Sequence, residues 1–311
     1  MKKIAFLNKY QNKVSRGAET FISELSKRLS KKYKVEIISD INYFSLLKNK
    51  YDVIIPTNGR WQSFIVRKIA WLTGAKVIIS GQSGKGLDDR LNLYSFPNVF
   101  VGLTKYQSNW ARRINPFIRV ETVPNGVDLS NFKAMVHNGN KNTVLSVGAF
   151  TKEKRHNLTI DAVKKLDGVG LVIVGSGGER KKEIMDYGQK VLGKERFSVL
   201  STTHDRMPEI YRKADVFAFS TVPWESFGIV LLEAMATGLS VVATKDPIRQ
   251  EIVGNAGILV NPENSEEYSK ALEKALKTNW GGIPREQAEK FSWDSVAQKY
   301  EEIIENITSE K

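Results

Sequence analysis

Short runs of apolar residues, rich in Val and Ile, alternate along this chain with longer segments of helical periodicity, and this alternation constrains the fold more than any other feature. The apolar runs are continuous, so a strand formed by one is buried on both faces. Buried strands separated by helices form parallel sheets covered by helices on both sides. The predicted strands are residues 4–7, 35–39, 53–56, 76–80, 99–103, 144–147, 170–175, 197–200, 216–220 and 240–244. The predicted helices include residues 20–31, 63–72, 157–165, 180–191, 207–213 and 229–236.

The alternation pauses once, in a chain of 311 residues that is long enough for two domains. Residues 124–128 read Pro-Asn-Gly-Val-Asp, and a polar, turn-rich stretch follows at 137–142. We therefore predict an α/β protein with two doubly wound, Rossmann-like domains that meet at residues 139 and 140. Such domains bind ligands at the carboxyl ends of their strands. If those ends face each other, the site is a central cleft between the domains.

Charge is distributed unevenly between the two halves. Residues 1–139 hold 23 Lys and Arg against 9 Asp and Glu, a net of +14, whereas residues 140–311 hold 24 against 25, a net of −1. The asymmetry predicts an anionic partner for the first half, such as a lipid surface, a phosphorylated acceptor or a nucleic acid. The alternative is a generally basic proteome, which does not readily account for a neutral second half.

Several classes of protein are excluded by what the sequence lacks. It has no cysteine, and its three histidines (His137, His156 and His204) are scattered, so we expect neither disulfides nor a zinc site. No apolar run approaches the ~18 residues of a membrane span. The first apolar run stops at Asn8, which is too early for a signal peptide. We therefore predict a cytoplasmic location.

Residues 223–238 carry the most informative pattern, because a strand turns there into a helix closed by Gly238. The helix is apolar nearly all round and should be buried. Glu233 is its one charge, and a buried carboxylate needs hydrogen-bond partners such as two ligand hydroxyls. The alternative is that Glu233 pairs with a buried basic residue.

Glu225 precedes Glu233 by eight residues. A helix rises ~12 Å over that distance, so the two carboxylates can address opposite ends of an elongated ligand. The helix begins between them, and its free amides suit a diphosphate. A diphosphate between two hydroxyl-rich groups is a nucleotide sugar; the alternative is that Glu225 is simply solvated. The amides in question are those of Phe227, Gly228, Ile229 and Val230.

This segment resembles the Glu, seven residues, Glu motif of glycosyltransferase family 4, whose members are retaining enzymes with the GT-B fold. Further family landmarks follow in the expected order, strongly in residues 124–307 and loosely in residues 1–123. The resemblance implies domains at 1–139 and 140–285, and a segment at 286–311 whose helix crosses back onto the first domain. The landmarks are residues 16–19 (Gly-rich first loop), 125–128 (interdomain motif), 147–155 (phosphate-binding loop), 174–177 (Gly-rich turn), 211–219 and 291–293, the last opening a helix at 294–307.

The resemblance also implies roles for individual residues. Lys154 neutralises the departing diphosphate, Glu233 holds the ribose hydroxyls and Glu225 holds hydroxyls of the donor sugar. Gly17 lets the backbone approach the phosphates. No metal and no other cofactor is expected, because the sequence has no Asp-x-Asp pair and because Lys154 and helix amides can replace a metal. The predicted donor-binding set is Gly17, Gly148, Arg155, Gly175, Ser176, Gly177, Ser226, Phe227, Gly228, Ile229, Val230 and Glu233.

Two departures from the family pattern concern the reacting centre. Ala149 stands where the family usually has Arg, so Arg155 either replaces that charge or points to solvent. Gln82 stands in the loop where the family often has His; it can donate a hydrogen bond but cannot act as a base. In a retaining front-face reaction, the acceptor proton can leave with the departing phosphate. The predicted catalytic residues are therefore Glu225, Lys154 and Gln82.

Two rival functions remain at this stage. One is a sugar-nucleotide epimerase or a glycosyl phosphorylase of the same architecture. The other is a non-catalytic nucleic-acid-binding protein, suggested by the basic first half and the mixed aromatic and basic residues at 105–113. Because no nucleic-acid-binding motif is visible, we predict a nucleotide-sugar donor and an anionic or lipid-linked acceptor, and no nucleic acid.

Residues 60–72 predict a second interaction surface. Trp61, Phe64, Ile65, Lys68 and then Trp71 or Leu72 recur at helical spacing, beside Arg60 and Arg67. Tryptophan flanked by cations is typical of a helix that lies on an anionic membrane. The alternative is that the stripe packs on the sheet. We therefore expect peripheral binding at the cytoplasmic face of a membrane.

Overall fold

The computed structural model describes residues 1–11, 17–57, 59–134 and 142–309, and the chain divides into two compact units. Unit 1 comprises Met1–Gly126 and Trp293–Lys311, and unit 2 comprises Val127–Ser292. Among the described residues, each unit contains a six-stranded sheet whose strands pair in parallel. The predicted α/β class with two Rossmann-like domains is confirmed.

In unit 1 the strands lie in the order β2-β1-β3-β4-β5-β6. Strand β1 lies between β2 and β3, since Ile4 pairs with Val35 on one side and with Val53 on the other. The strands are β1 (Lys3–Leu7), β2 (Lys34–Ile38), β3 (Val53–Pro56), β4 (Lys76–Ser80), β5 (Val99–Gly102) and β6 (Arg119–Thr122). The helices are α1 (Gly17–Leu29), α2 (Tyr43–Asn49), α3 (Trp61–Thr73), α4 (Leu87–Tyr94) and α5 (Lys105–Ile114), and later α13 (Trp293–Ser309).

In unit 2 the order is β12-β11-β10-β7-β8-β9. Helices α6, α7 and α11 pack together on one face of the sheet, and α8, α9, α10 and α12 pack together on the other. The strands are β7 (Thr143–Val147), β8 (Gly170–Val174), β9 (Phe197–Leu200), β10 (Val216–Phe219), β11 (Ser240–Thr244) and β12 (Gly257–Val260). The helices are α6 (His156–Lys164), α7 (Lys181–Arg196), α8 (Met207–Tyr211), α9 (Ile229–Ala236), α10 (Pro247–Val253), α11 (Ser265–Lys277) and α12 (Ile283–Glu289).

Two strands and six helices were not predicted, namely β6 and β12 and α2, α4, α5, α10, α11 and α12. Strands β6 and β12 end the strand order of their sheets among the described residues, and most of their residues are only partly buried. Burial alone does not explain why they were missed, since the edge strands β2 and β9 were predicted. Helices α2, α4, α10 and α12 are seven or eight residues long, too short to repeat an apolar period clearly. Helices α5 and α11 are longer and amphipathic, so their signal was present in the sequence.

The chain leaves unit 1 after Gly126 and returns at Trp293, whereas the predicted boundaries were 139/140 and 285/286. Residues 135–141, where the first boundary was predicted, lie outside the described residues. Within unit 1, Gly126 packs so closely on Trp293 that an added Cβ would lie 2.7 Å from the indole ring. Helix α12 packs on α9 within unit 2. The second boundary therefore lies after α12, closer to the C-terminus than the predicted 285/286.

The final helix belongs to unit 1, as the resemblance implied. On α13, Trp293 and Tyr300 pack against Phe21 of α1 with ring centroids 6.3 and 5.8 Å apart. Arg28 of α1 donates a 2.8 Å hydrogen bond to Asp294. Across the described residues, every helix falls short of the length and apolarity that a membrane span requires.

Candidate functional site

The candidate site of unit 2 lies where the strand order reverses. Strands β7 and β10 are neighbours, and the chain continues from them into α6 and α9 on opposite faces of the sheet. A crevice opens at such a switch point, beyond the carboxyl ends of the strands. The loops at this crevice are residues 148–155 after β7 and residues 220–228 after β10.

Lys154 and Glu225 are brought together at this crevice. The Lys154 Nζ lies 2.9 Å from the Glu225 Oε2, and both side chains are partly buried. The two loops are also joined through their main chains, because the Val222 amide donates to the Glu153 carbonyl at 2.9 Å. The predicted catalytic cation and carboxylate therefore form one ion pair held by two adjoining loops.

The predicted glycines allow the main chain to pack tightly at the ends of β7 and β8. A Cβ on Gly175 would lie 2.1 Å from the Gly148 carbonyl oxygen, so no other residue fits there without moving the backbone. Gly148 in turn packs against the side chain of Lys154. Ser176 and Gly177 follow in an exposed turn, where the Gly177 carbonyl accepts from the Phe150 amide at 3.0 Å.

Helix α9 begins and ends as predicted. Gly228 precedes it with a φ of 90°, and a Cβ there would lie 2.8 Å from the Phe219 ring. At the other end the Leu239 amide bonds to the Ala234 carbonyl and Gly238 has a φ of 91°, which together make a Schellman cap. The amide groups that begin the helix belong to Ser226, which is partly exposed, and to Phe227, Gly228, Ile229 and Val230.

Glu233 is only 4% exposed, and its carboxylate has two partners within unit 2. The Tyr211 hydroxyl donates to Oε2 at 2.8 Å, and the His204 Nε2 lies 2.9 Å from Oε1. Burial, together with the Glu233 charge, raises the pKa of Tyr211 well above its usual value. The alternative prediction of a basic partner within the protein is thus met in part by His204, although the His204 side chain is 44% exposed and not buried.

Arg155 is engaged by the protein itself. Its guanidinium donates to the carbonyls of Ser220 and Thr221 at 2.7 and 2.6 Å and to Glu263 at 2.9 Å. Burial lowers its pKa. The suggestion that it points to solvent is wrong, and the structure does not show it as a replacement for the charge missing at Ala149.

Three residues of this site were missed by the sequence analysis. Tyr211 lay in a segment already identified as a family landmark, but nothing there indicated a partner for it. His204 was noted only as a scattered histidine. Arg249 follows an Asp-Pro pair, a typical helix start, yet nothing local shows that its guanidinium reaches the loop of Glu225.

Two predicted site residues belong to unit 1. Gln82 exchanges two 3.0 Å amide hydrogen bonds with Asn125 and donates to the Ser80 hydroxyl at 2.9 Å. The carbonyl beside it, that of Gly81, accepts from Gln107 at 2.7 Å. Gly17 is the first residue of α1, and Arg16 lies outside the described residues.

Beneath that loop, Asp89 is fully buried and accepts hydrogen bonds from Asn92 and Gln107 at 3.0 and 3.1 Å. Burial raises its pKa to about 8. Burial thus favours the neutral form of the carboxyl that supports the loop of Gln82.

Helix α3 presents its aromatic residues outward. The face turned to the protein consists of Gln62, Ser63, Val66, Ile69 and Ala70. On the opposite face Trp61 is 79% exposed and Trp71 is 76% exposed, and Ile65 and Leu72 are exposed as well. The alternative prediction, that this stripe packs on the sheet, is wrong.

The model of one protein family, described as glycosyl transferases group 1, matches residues 128–294. That match covers the candidate site of unit 2 and more than half of the chain.

Curated relatives are similar over comparable lengths. The chain is 31% identical over 198 residues to the D-inositol 3-phosphate glycosyltransferase of Mycobacteroides abscessus, which is 58% of this chain and 44% of that protein. It is 29% identical over 203 residues to the phosphatidyl-myo-inositol mannosyltransferase of Mycolicibacterium smegmatis, or 60% and 52%. It is 28% identical over 219 residues to the lipopolysaccharide 1,2-N-acetylglucosaminetransferase of Salmonella typhimurium, or 61% and 58%. The chain thus spans about half the length of the curated relatives it matches.

Solved structures match over nearly the whole chain. Anabaena HepE in complex with UDP and glucose has a TM-score of 0.83 and 17% identity over 98% of this chain and 100% of that one. Sucrose-phosphate synthase from Thermosynechococcus elongatus has a TM-score of 0.82 and 15% identity over 100% of both chains. At these identities the likeness shows the fold, which is GT-B.

Proposed function

The chain belongs to the glycosyl transferases of group 1, and we propose that it is a retaining, metal-independent enzyme that moves a hexosyl group from a nucleoside-diphosphate sugar to an acceptor. The observation that carries this proposal is the Lys154–Glu225 ion pair, formed by two loops at the switch point of the sheet beside the start of α9. A cation and helix amides suit a diphosphate, and a carboxylate suits the hydroxyls of a sugar. Proteins of similar fold have been solved with UDP and with UDP-glucose, which supports this choice of ligand.

The nucleotide sugar lies along the loop that begins α9 in this proposal. Its diphosphate binds the amides of the first turn and Lys154, and Glu225 binds hydroxyls of the sugar. Glu233 binds the ribose hydroxyls, because each carboxylate oxygen can accept two hydrogen bonds and Tyr211 and His204 supply one to each oxygen.

Catalysis then depends on the leaving group. As the glycosidic bond breaks, negative charge accumulates on the departing diphosphate, and Lys154 stabilises that charge at a fixed position. The acceptor hydroxyl passes its proton to the departing phosphate, so no side-chain base is needed. Gln82, whose amide nitrogen already donates to Asn125 and to Ser80, has no assigned step in this mechanism.

The stereochemical course tests this mechanism. Proton NMR of the product should show the anomeric configuration of the donor sugar, and EDTA should leave the rate unchanged. An inverted product, or a rate lost to EDTA and restored by magnesium, would contradict the proposal. Thermal shifts with UDP, GDP and inorganic phosphate separate it from a phosphorylase, which would respond to phosphate and to neither nucleotide.

We further propose an anionic, lipid-linked acceptor and peripheral association with an anionic membrane at its cytoplasmic face. The observation that favours it is the outward face of α3, where Trp61 and Trp71 are exposed beside Lys68. Residues 1–139 carry a net charge of +14. Two of the relatives are named for phosphatidyl-myo-inositol and for lipopolysaccharide, which supports a lipid-linked acceptor.

Co-sedimentation with vesicles tests this second proposal. The chain should pellet with phosphatidylglycerol vesicles, less so at high salt, and not with phosphatidylcholine alone. A Trp61→Ser, Trp71→Ser variant should stay in the supernatant, while Phe117→Ser, which removes an exposed aromatic of the same unit outside α3, should behave as wild type. Equal pelleting with both lipids, or none with either, would overturn it.

A further inference from the structure

We propose that Arg249 and Arg155 form a clamp on the main chain of residues 220–228 and so position Glu225 and the start of α9 for the reaction. The inference deepens the proposed function and rests on it for its catalytic part. Arg249 has no assigned contact with the nucleotide sugar, and Arg155, predicted to bind the donor, is instead engaged by carbonyls and by Glu263. Both are therefore proposed as positioning residues.

Arg249 holds the part of the loop that carries Glu225. Its Nη1 donates to the Glu225 carbonyl at 2.7 Å, and its Nη2 donates to the carbonyls of Pro223 and Val222 at 3.0 and 3.3 Å. The side chain is 0% exposed, and its Nε donates to Asp246 Oδ2 at 2.7 Å. One guanidinium thus binds the carbonyls of three loop residues, and the Val222 carbonyl also accepts from the Glu225 amide at 3.1 Å, which tightens the same turn.

Arg155 holds the preceding two residues in the same manner. Its Nε and Nη2 donate to the carbonyls of Ser220 and Thr221, at 2.7 and 2.6 Å. The Ser220 hydroxyl donates back to the Arg155 carbonyl at 3.0 Å. The two arginines together bind five of the six carbonyls from residue 220 to residue 225.

The far side of the clamp is anchored at α10. Asp246 caps this helix, since its Oδ1 accepts from the amides of Ile248 and Arg249 at 2.9 and 3.0 Å, while its Oδ2 fixes the guanidinium. Arg249 and Asp246 both lie at the start of α10, the helix that follows β11, so the hydrogen bonds of Arg249 attach the Glu225 loop to this helix. A lysine has one nitrogen and no planar fork, so it could not hold three carbonyls and Asp246 at once.

The orientation of these carbonyls has a consequence for the site. In a planar trans peptide, the carbonyl of one residue and the amide of the next point in opposite directions. Because the Glu225 carbonyl is directed at Arg249, the Ser226 amide is directed away from it. The clamp thus directs the Ser226 amide, just before the start of α9, away from Arg249.

Hydrogen exchange and kinetics of Arg249→Met test the clamp, with Arg196→Met as the matched control. Arg196 also donates to main-chain carbonyls in unit 2, those of Val169 and Val163 at 2.8 and 3.0 Å, away from the Glu225 loop. Arg249→Met should raise amide exchange in peptides covering residues 220–228 at least tenfold and lower kcat at least thirtyfold. Arg196→Met should leave both within threefold of wild type, even where it lowers Tm.

Should Arg249→Met fail to fold, Asp246→Asn serves in its place, because an amide oxygen still caps α10 while the contact with the Arg249 Nε is lost. It should speed exchange in the same peptides and lower kcat severalfold. Unchanged exchange in these peptides, an increase matched by Arg196→Met, or faster exchange with kcat unchanged would each overturn the proposal. The exchange experiment uses no substrate, so a wild-type chain that transfers no sugar would refute the proposed function and still leave the clamp tested.

Discussion

The site loops of unit 2 and the outer face of α3 in unit 1 use charged residues in opposite ways. In unit 2, the charged groups of Lys154 and Glu225 are partly buried, that of Arg249 is fully buried, and each has a protein partner. On α3, Lys68 stands in solvent among exposed tryptophans. Buried, partnered charges hold a fixed geometry and suit a small ligand and a defined transition state. Exposed cations among aromatic rings suit a broad anionic surface.

The largest expected effect follows from removing one partner of the ion pair in unit 2. Lys154→Ala and Glu225→Gln should each reduce kcat about 100- to 1000-fold, since a lost preorganised contact commonly costs ~2.7–4 kcal/mol of transition-state stabilisation. Circular dichroism should show an unchanged fold, and vesicle binding should be retained. Near-full activity of either variant would show that the catalytic residues lie elsewhere.

The pH dependence of stability should also differ between the two units. His156, buried in unit 2 with its Nδ1 3.1 Å from the Ser146 hydroxyl, has its pKa lowered to about 4 by burial. A folded-state pKa below the unfolded value of ~6.5 means that the unfolded chain binds the proton first. The stability that depends on neutral His156 is present above ~6.5 and lost as the pH falls toward 4, a difference on the order of 3 kcal/mol.

Asp89 in unit 1 should change the stability in the opposite direction, so that stability falls as the pH rises. Burial raises its pKa to about 8, so the folded protein keeps a proton that the unfolded chain has already released. Its contribution is fully present below pH ~4 and declines as the pH rises toward 8. In thermal melts, His156→Gln should reduce the loss of stability as the pH falls from ~6.5 to 4, and Asp89→Asn should reduce the decline as the pH rises from ~4 to 8. Melts of both variants parallel to wild type from pH 4 to 9 would contradict this difference.

Glu233→Gln should mainly weaken binding of the nucleotide sugar. Hydrogen bonds to a charged group contribute about 1.5–3 kcal/mol, so we expect roughly a tenfold or larger rise in Kd by calorimetry, with a smaller change in kcat because ribose contacts change little along the reaction. Tyr211→Phe is the matched control: it removes one hydrogen bond to Glu233 and keeps the carboxylate. A fall in kcat without a change in Kd would contradict the assigned role.

The smallest effect is expected on α3. Lys68→Gln should weaken binding to anionic vesicles only severalfold, since one surface cation contributes about 1 kcal/mol. The same substitution should leave the Kd for the nucleotide sugar unchanged. A change in nucleotide binding and none in vesicle binding would reverse the contrast between the two regions.

What the sequence could predict depended on how local the signal was. The start and end of α9 are contained in one short segment and were predicted correctly. The contacts of Arg249 with that segment join residues 24 to 27 positions apart, and those of Glu233 with Tyr211 and His204 join residues 22 and 29 apart. Such contacts depend on which strands become neighbours, and no local pattern encodes that.

Helix α3 gives a second example of a feature that a local pattern predicts only in part. The periodicity of Trp61, Ile65 and Trp71 predicted a shared helix face, but periodicity alone does not say which face meets the sheet. The choice is settled by Val66, Ile69 and Ala70, which pack inward.

We expect unit 2 to bind a nucleoside-diphosphate sugar at the Lys154–Glu225 pair, and calorimetry tests this binding most directly. Wild-type protein is titrated with UDP-, GDP- and ADP-sugars and with inorganic phosphate, and Lys154→Ala is titrated in parallel. We expect one nucleotide class to bind the wild type, with affinity sharply reduced in Lys154→Ala and no response to phosphate alone. Binding of no nucleotide, or nucleotide binding that Lys154→Ala leaves unchanged, would contradict the account.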